Sequence, residues 1–110
     1  MRYLFAVIAS RSGTVMADEN EGAAIDAFND KLESEGRRLM AVGISSPEGA
    51  KVFDNRAGAG LVSDGPVVDS DDFMAGFWVI EAENDRVAHE LAAEASLACN
   101  RRIEVRAIFG

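Results

Sequence analysis

The spacing of apolar residues along the chain alternates between the period of strands and the period of helices. Residues 3–9 (Tyr-Leu-Phe-Ala-Val-Ile-Ala) are apolar at every position, which predicts a strand buried on both faces. From residue 18 to about residue 35 the apolar positions follow a helical stripe formed by Ala24, Ile25, Phe28 and Leu32. Asp18 is the predicted N-cap of this helix, in a capping box with Glu21, and Gly36 is its predicted end.

The second half of the chain repeats the strand–helix–strand order. An apolar strand over residues 77–81 precedes a helix from residue 84 or 85 to about 99, and residues 102–109 alternate as a final strand. Between the halves, the pattern predicts a strand over residues 37–44, a hairpin of 51–54 with 60–63, and one irregular helical turn over 69–74. This order predicts a single α+β domain over residues 1–110, with a ferredoxin-like antiparallel sheet and two helices on one face.

One face of the predicted sheet has no cover. Two helices cover only one side, yet the strands over residues 3–9 and 76–80 are apolar on both faces, and Met40, Val42 and Ile44 add to the uncovered side. An exposed apolar patch of this extent exceeds the few hundred Å² that is usual for a soluble monomer. The pattern therefore predicts a homodimer packed sheet to sheet.

Charge and composition remove several classes of function. A net charge of −8 over 110 residues disfavours nucleic acid and anionic membranes as partners. One cysteine and one histidine provide neither a disulfide nor zinc-ligand spacing, and no glycine-rich phosphate loop is present, so we predict no metal and no cofactor. The first apolar run is too short to span a membrane, and Arg11 interrupts it before any cleavage site, which predicts a cytoplasmic protein.

A few polar and aromatic residues are candidates for a functional site. Asp64, at the end of the hairpin, is a candidate general base or pocket group, but Asp64-Gly65-Pro66 is equally typical of a structural turn. Strand alternation places Arg38, Glu104 and Arg106 on the open face, where they either pair with one another across the dimer or face a polar cavity that binds an anion or carboxylate. The predicted ligand pocket comprises Arg38, Met40, Asp64, Phe77, Trp78 and Arg106. His89, on the outer side of the second helix, is predicted to be exposed.

Three segments carry a family resemblance that covers most of the chain. Asp64-Gly65-Pro66, the strand Gly76-Phe77-Trp78-Val79-Ile80-Glu81, and Glu35-Gly36-Arg37 at the end of the first helix resemble the YCII-related family, in the branch called DGPF-domain proteins. Val67 stands where that signature ends in Phe. The resemblance implies a dimeric α+β barrel.

The same resemblance leaves two classes of function open. Some YCII-like proteins resemble enzymes that use a His–Asp couplet, such as dehydrochlorinases or muconolactone isomerases. The histidine of that couplet falls at or near Ile25 here, so the couplet is absent. The favoured hypothesis is a homodimer whose small interfacial pocket binds a small molecule or a partner without catalysis. The alternative is a lyase or isomerase of small anionic or aromatic metabolites, with Asp64 as base and Arg38 or Arg106 as electrostatic stabiliser.

Overall fold

The computed structural model describes residues 1–13 and 19–110, and within them the predicted α+β architecture is confirmed. The elements are β1 (Arg2–Ser10), α1 (Glu19–Ser34), β2 (Arg38–Gly43), β3 (Lys51–Asp54), β4 (Leu61–Asp64), β5 (Asp72–Glu81), α2 (Asp85–Cys99) and β6 (Arg102–Ala107). Four strands form an antiparallel sheet in the order β2-β5-β1-β6, while β3 and β4 form a separate two-stranded sheet. This is the ferredoxin-like arrangement expected from the sequence.

The helix ends follow from local chemistry. Asn84 is the N-cap of α2, and its side chain accepts a hydrogen bond from the Val87 amide. After α1, Gly36 takes a left-handed conformation (φ 69°), and the Arg37 amide donates to the Leu32 carbonyl at 2.8 Å. That bond is typical of a Schellman ending and uses a carbonyl that the helix leaves unpaired. The predicted N-cap Asp18 lies outside the described residues.

Both helices pack on one face of the four-stranded sheet, where the core lies. Of the predicted stripe on α1, Phe28 and Leu32 are buried, Ile25 packs at the margin, and Ala24 is exposed. The apolar stripe of α2 packs towards the sheet, and it consists of Val87, Ala88, Leu91, Ala92, Ala95, Ala98 and Cys99. The largest fully buried side chains are Tyr3, Phe5, Leu32 and Ile80.

The opposite side of the sheet, here called the open face, is apolar on three strands and charged on the fourth. The strand register places there Leu4, Ala6 and Ile8 of β1, Met74, Phe77 and Val79 of β5, Met40 and Val42 of β2, and Arg102, Glu104 and Arg106 of β6. No element of the described part of the chain covers this face as the helices cover the other.

The predicted helical turn over residues 69–74 is wrong, because β5 begins at Asp72. Asp72 to Met74 pair with the end of β1, beyond a bulge at Ala75. Side-chain contacts hold this extension, since the Ser10 hydroxyl donates to Asp72 at 2.6 Å and the Ser12 hydroxyl donates to Asp71 at 2.8 Å. The acidic segment of residues 69–72 therefore ends in a strand, which its composition does not indicate.

The predicted direction of Arg38 is also wrong. The register between β2 and β5 shifts between Arg38 and Met40, so Leu39 is an extra residue in a bulge. As a consequence Arg38 faces α1, where it contacts Asn29 and Glu33, while Met40 and Val42 face the open side as predicted. Arg106 and Glu104 lie on the open face, also as predicted.

The hairpin of β3 and β4 extends away from the main sheet. The predicted hairpin is confirmed, with its second strand one residue later than predicted, so that Lys51 is opposite Asp64 and Phe53 is opposite Val62. The radius of gyration is 15.9 Å, above the roughly 13 Å expected for a compact domain of this length. The projecting hairpin accounts for part of this excess.

Candidate functional site

The predicted pocket residues separate into different parts of the molecule. Arg38, Phe77 and Trp78 line a cavity of about 230 Å³ between α1 and β2, here called the α1–β2 cleft. Arg106 lines a wider cavity of about 760 Å³ beside β6, here called the β6 groove. Asp64 and Met40 line neither cavity.

The polar centre of the α1–β2 cleft is Asn29. Its side-chain oxygen accepts hydrogen bonds from Trp78 Nε1 at 2.8 Å and from Arg38 Nε at 3.2 Å. Trp78 is only 5% exposed and packs edge to face against Phe28, with ring centroids 5.4 Å apart. One amide oxygen therefore satisfies a buried indole and orients a guanidinium at the same time.

Hydrogen-bond donors remain available at this centre. Asn29 uses its oxygen for both contacts, and within the described chain its side-chain NH₂ has no hydrogen-bond partner. Arg38 uses Nε for Asn29 and Nη1 for Glu33 at 3.1 Å, while Nη2 has no partner among the described residues. Glu33 is mostly exposed, so its interaction with the guanidinium is weakened by water.

The rest of the cleft is apolar. Its other lining residues are Val7, Ile25, Ala41 and Gly43, together with Val42 and Phe77, whose side chains the strand register places on the open face. Ligand pockets combine an apolar lining with a few fixed polar groups, and drug-sized ligands occupy about 300 to 1,000 Å³. The α1–β2 cleft is smaller, so it suits a compact molecule with one group that accepts hydrogen bonds.

The β6 groove contains charged groups that are already paired. Arg106 donates to Glu104 of the same strand at 3.0 Å, and the predicted pairing of these charges across a dimer stays a prediction. Arg102 donates to Asp72 at 2.7 Å. The Ser10 hydroxyl, and after it Arg102, hold the pKa of Asp72 below its usual value. All of these side chains are substantially exposed, and such pairs contribute about 0 to 1 kcal/mol.

Asp64 lies on the hairpin surface. Its carboxylate accepts from Lys51 Nζ at 2.6 Å, across the strand pair, and its side chain is 86% exposed. The following Gly65 has a φ of 92°, and its amide donates to the Ala50 carbonyl at 2.7 Å. The turn therefore uses this glycine for a conformation that other residues adopt with strain. Within one chain, Asp64 does not share a cavity with Arg38 or Arg106.

The remaining acidic and nucleophilic candidates have local partners or poor access. Asp69 pairs with Arg11 at 2.6 Å, and no group of three metal-ligating side chains occurs among residues 1–13 and 19–110. Burial raises the pKa of the Cys99 thiol, which disfavours the reactive thiolate. His89 is exposed, as predicted.

Sequence reasoning missed Asn29 because it lies outside the apolar stripe of α1. The signal that points to it is the single tryptophan of the chain. A buried indole needs an acceptor, and Asn29 follows Phe28, the residue that packs against Trp78.

A four-stranded antiparallel sheet in the order β2-β5-β1-β6, with two helices on one face, defines a ferredoxin-like α+β protein. The model of the YCII-related domain matches residues 1–110, and the chain belongs to this family. A search of curated proteins found no match. Neither of the described helices is long and apolar enough to cross a membrane.

Proposed function

We propose that this protein is a homodimeric binding module that holds a small organic anion in the α1–β2 cleft without catalysis. The observation that carries the proposal is a pair of donors beside an apolar cavity, Asn29 Nδ2 and Arg38 Nη2, which have no partner among residues 1–13 and 19–110. A carboxylate or phenolate oxygen accepts hydrogen bonds from both donor types, and a guanidinium favours its negative charge.

Binding without turnover follows from the lining of the cleft. Arg38 is the only titratable side chain among the described residues that line it. Arginine stays protonated in proteins, so it neither accepts nor releases a proton at ordinary pH. General acid–base catalysis needs a group that does both. The cleft thus has recognition groups and an apolar wall, while a base such as Asp64 lies on the hairpin.

The ligand proposal is tested by calorimetry and by the fluorescence of Trp78, the only tryptophan. We expect one or more compounds from a panel of small aliphatic and aromatic carboxylates and phenols to bind and to change the indole emission. Arg38→Met should weaken that binding at least tenfold. The matched control is Arg86→Met, an exposed arginine on α2 that pairs with Glu90, and it should leave affinity unchanged. The proposal is contradicted if no compound of the panel binds, or if Arg38→Met and Arg86→Met bind with equal affinity.

The dimer part of the proposal is supported by the distribution of charge. α1 carries five acidic residues and one lysine, and α2 carries three acidic residues and one arginine, so the helices hold a net −6 of the total −8. The four strands of the main sheet together carry a net +1. Two copies that meet through their open faces keep the acidic helices on opposite outer sides, which limits repulsion.

Sedimentation tests the dimer. We expect the wild-type protein to sediment with twice the chain mass of 11.8 kDa at micromolar concentration. Met40→Arg, on the open face, should shift the protein towards monomer, because it places a charge in an apolar interface. Leu97→Arg, on the exposed side of α2, is the control and should remain dimeric. A well-folded wild-type monomer would contradict this part of the proposal.

A further inference from the structure

We infer that the β3–β4 hairpin is a dimerisation arm, which packs on the open face of a second copy of this chain. This inference rests on the homodimer proposed above. It adds a contact that the sheet-to-sheet arrangement by itself does not require.

The first observation is that the hairpin exposes apolar side chains and lacks a core of its own. Phe53 and Val62 are directly opposite each other on one face of the hairpin, and their exposed fractions are 70% and 57%. On the other face Leu61 is also exposed. An isolated two-stranded hairpin is marginally stable in water, and it needs packing against another element. The described part of this chain provides no such element.

The second observation is the position of the hairpin base. Pro47, Pro66 and Val68 flank the hairpin, and together with Ile8 and Arg106 of the open face they line the β6 groove. Arg11, at the end of β1, contacts Glu48 at 2.8 Å and Asp69 at 2.6 Å, on the two sides of the hairpin. The arm therefore starts at the border of the proposed interface, and ion pairs tie its base to the main sheet.

The third observation concerns area. Strands of six to ten residues are about 20 to 33 Å long and four of them are about 19 Å wide, so the open face has a footprint of roughly 400 to 600 Å². A standard interface buries about 800 Å² per partner. Each partner contributes one four-residue hairpin, which adds about 130 Å² to the footprint of that partner. The arms thus bring the contact towards the usual size.

Charge favours a second copy as the occupant. The hairpin over residues 51–64 contains two basic and two acidic residues, so its net charge is zero on a chain of −8. A neutral arm with exposed phenylalanine and valine side chains approaches another acidic copy without the repulsion that the helices would meet. Aromatic residues, phenylalanine included, are enriched in protein interfaces.

The test compares dimer dissociation constants by sedimentation. We expect the double variant Phe53→Ser/Val62→Ser to dissociate at least tenfold more readily than the wild type. Leu97→Ser removes a side chain that is 86% exposed on α2, and it is the matched control with no expected change. If the wild type is a dimer and the double variant has the same dissociation constant, the hairpin is not a dimerisation arm, while the proposed dimer is retained. If the wild type is a monomer, both fail.

A second measurement does not depend on the folding of the double variant. A photoreactive benzoylphenylalanine at position 53 keeps an aromatic side chain in place, and a mixture of isotopically light and heavy chains distinguishes contacts within and between subunits. We expect cross-links between subunits, to the strands of the open face. Cross-links confined to one chain, or between subunits only to the helices, would overturn the inference.

Discussion

The hydrogen bond between Trp78 and Asn29 offers a direct test of how the cleft is built. Asn29→Ala removes the acceptor of a buried indole, which lies 2.8 Å from the Asn29 oxygen. A buried donor left without a partner costs about 1 to 3 kcal/mol. Alanine regains about 0.5 kcal/mol through its better helix propensity. The net loss in the free energy of unfolding is therefore about 0.5 to 2.5 kcal/mol.

This loss can be converted into a melting temperature. Unfolding entropy near 60 °C is about 2.1 cal/mol/K per residue, so for 110 residues each kcal/mol corresponds to about 4 °C. We expect Asn29→Ala to melt about 2 to 10 °C below the wild type in differential scanning calorimetry. Asn20→Ala, an exposed position on the same helix, is the control for propensity and should melt at or slightly above the wild-type temperature.

Asn29→Asp separates the structural role of this residue from its proposed role in binding. Aspartate retains an oxygen for Trp78 and Arg38, so the melting temperature should fall less than in Asn29→Ala. It lacks the NH₂ donors and adds a negative charge, so anion binding should be lost. The claim that the Trp78–Asn29 hydrogen bond stabilises the cleft is refuted if Asn29→Ala has the wild-type melting temperature and leaves the fluorescence of Trp78 unchanged.

Two further predictions concern Tyr3 and Gly76. A hydrogen bond to Asp85 at 2.7 Å and burial raise the pKa of Tyr3 to about 12. Because the folded state holds this proton more tightly than the unfolded state, Tyr3 makes its full contribution to the free energy of unfolding below pH about 10. That contribution is lost as pH rises towards 12, and Tyr3→Phe should not show this loss. An absorbance titration of this single tyrosine with a midpoint near 10 would contradict the assignment. A Cβ at Gly76 would lie 2.5 Å from the Val42 carbonyl oxygen, so Gly76→Ala should lower the free energy of unfolding by about 1 to 3 kcal/mol in urea titrations. Gly22→Ala, in open space on α1, should be neutral or stabilising, and equal effects of the two substitutions would refute the steric argument.

The helices, most strands and the apolar open face could be predicted from the sequence, because each depends on local periodicity. Gly36 ends α1 because glycine adopts the left-handed conformation without strain. The apolar stripe of α2 follows from helical spacing alone, and it packs against the sheet. The same local signals account for the hairpin over residues 51–64. The family resemblance rests on short segments of sequence, and the family model matches residues 1–110.

The site depended on tertiary structure. Alternation predicts which way a side chain points only while strand register is unbroken, and the bulges at Leu39 and Ala75 arise from pairing between distant segments. The first bulge turns Arg38 from the open face to α1, where Asn29 meets it. By itself, the sequence determined the fold class, the helices and an uncovered apolar sheet face. The tertiary structure decided that Arg38, Asn29 and Trp78 share one cleft, because their meeting requires contacts across 49 positions of the chain.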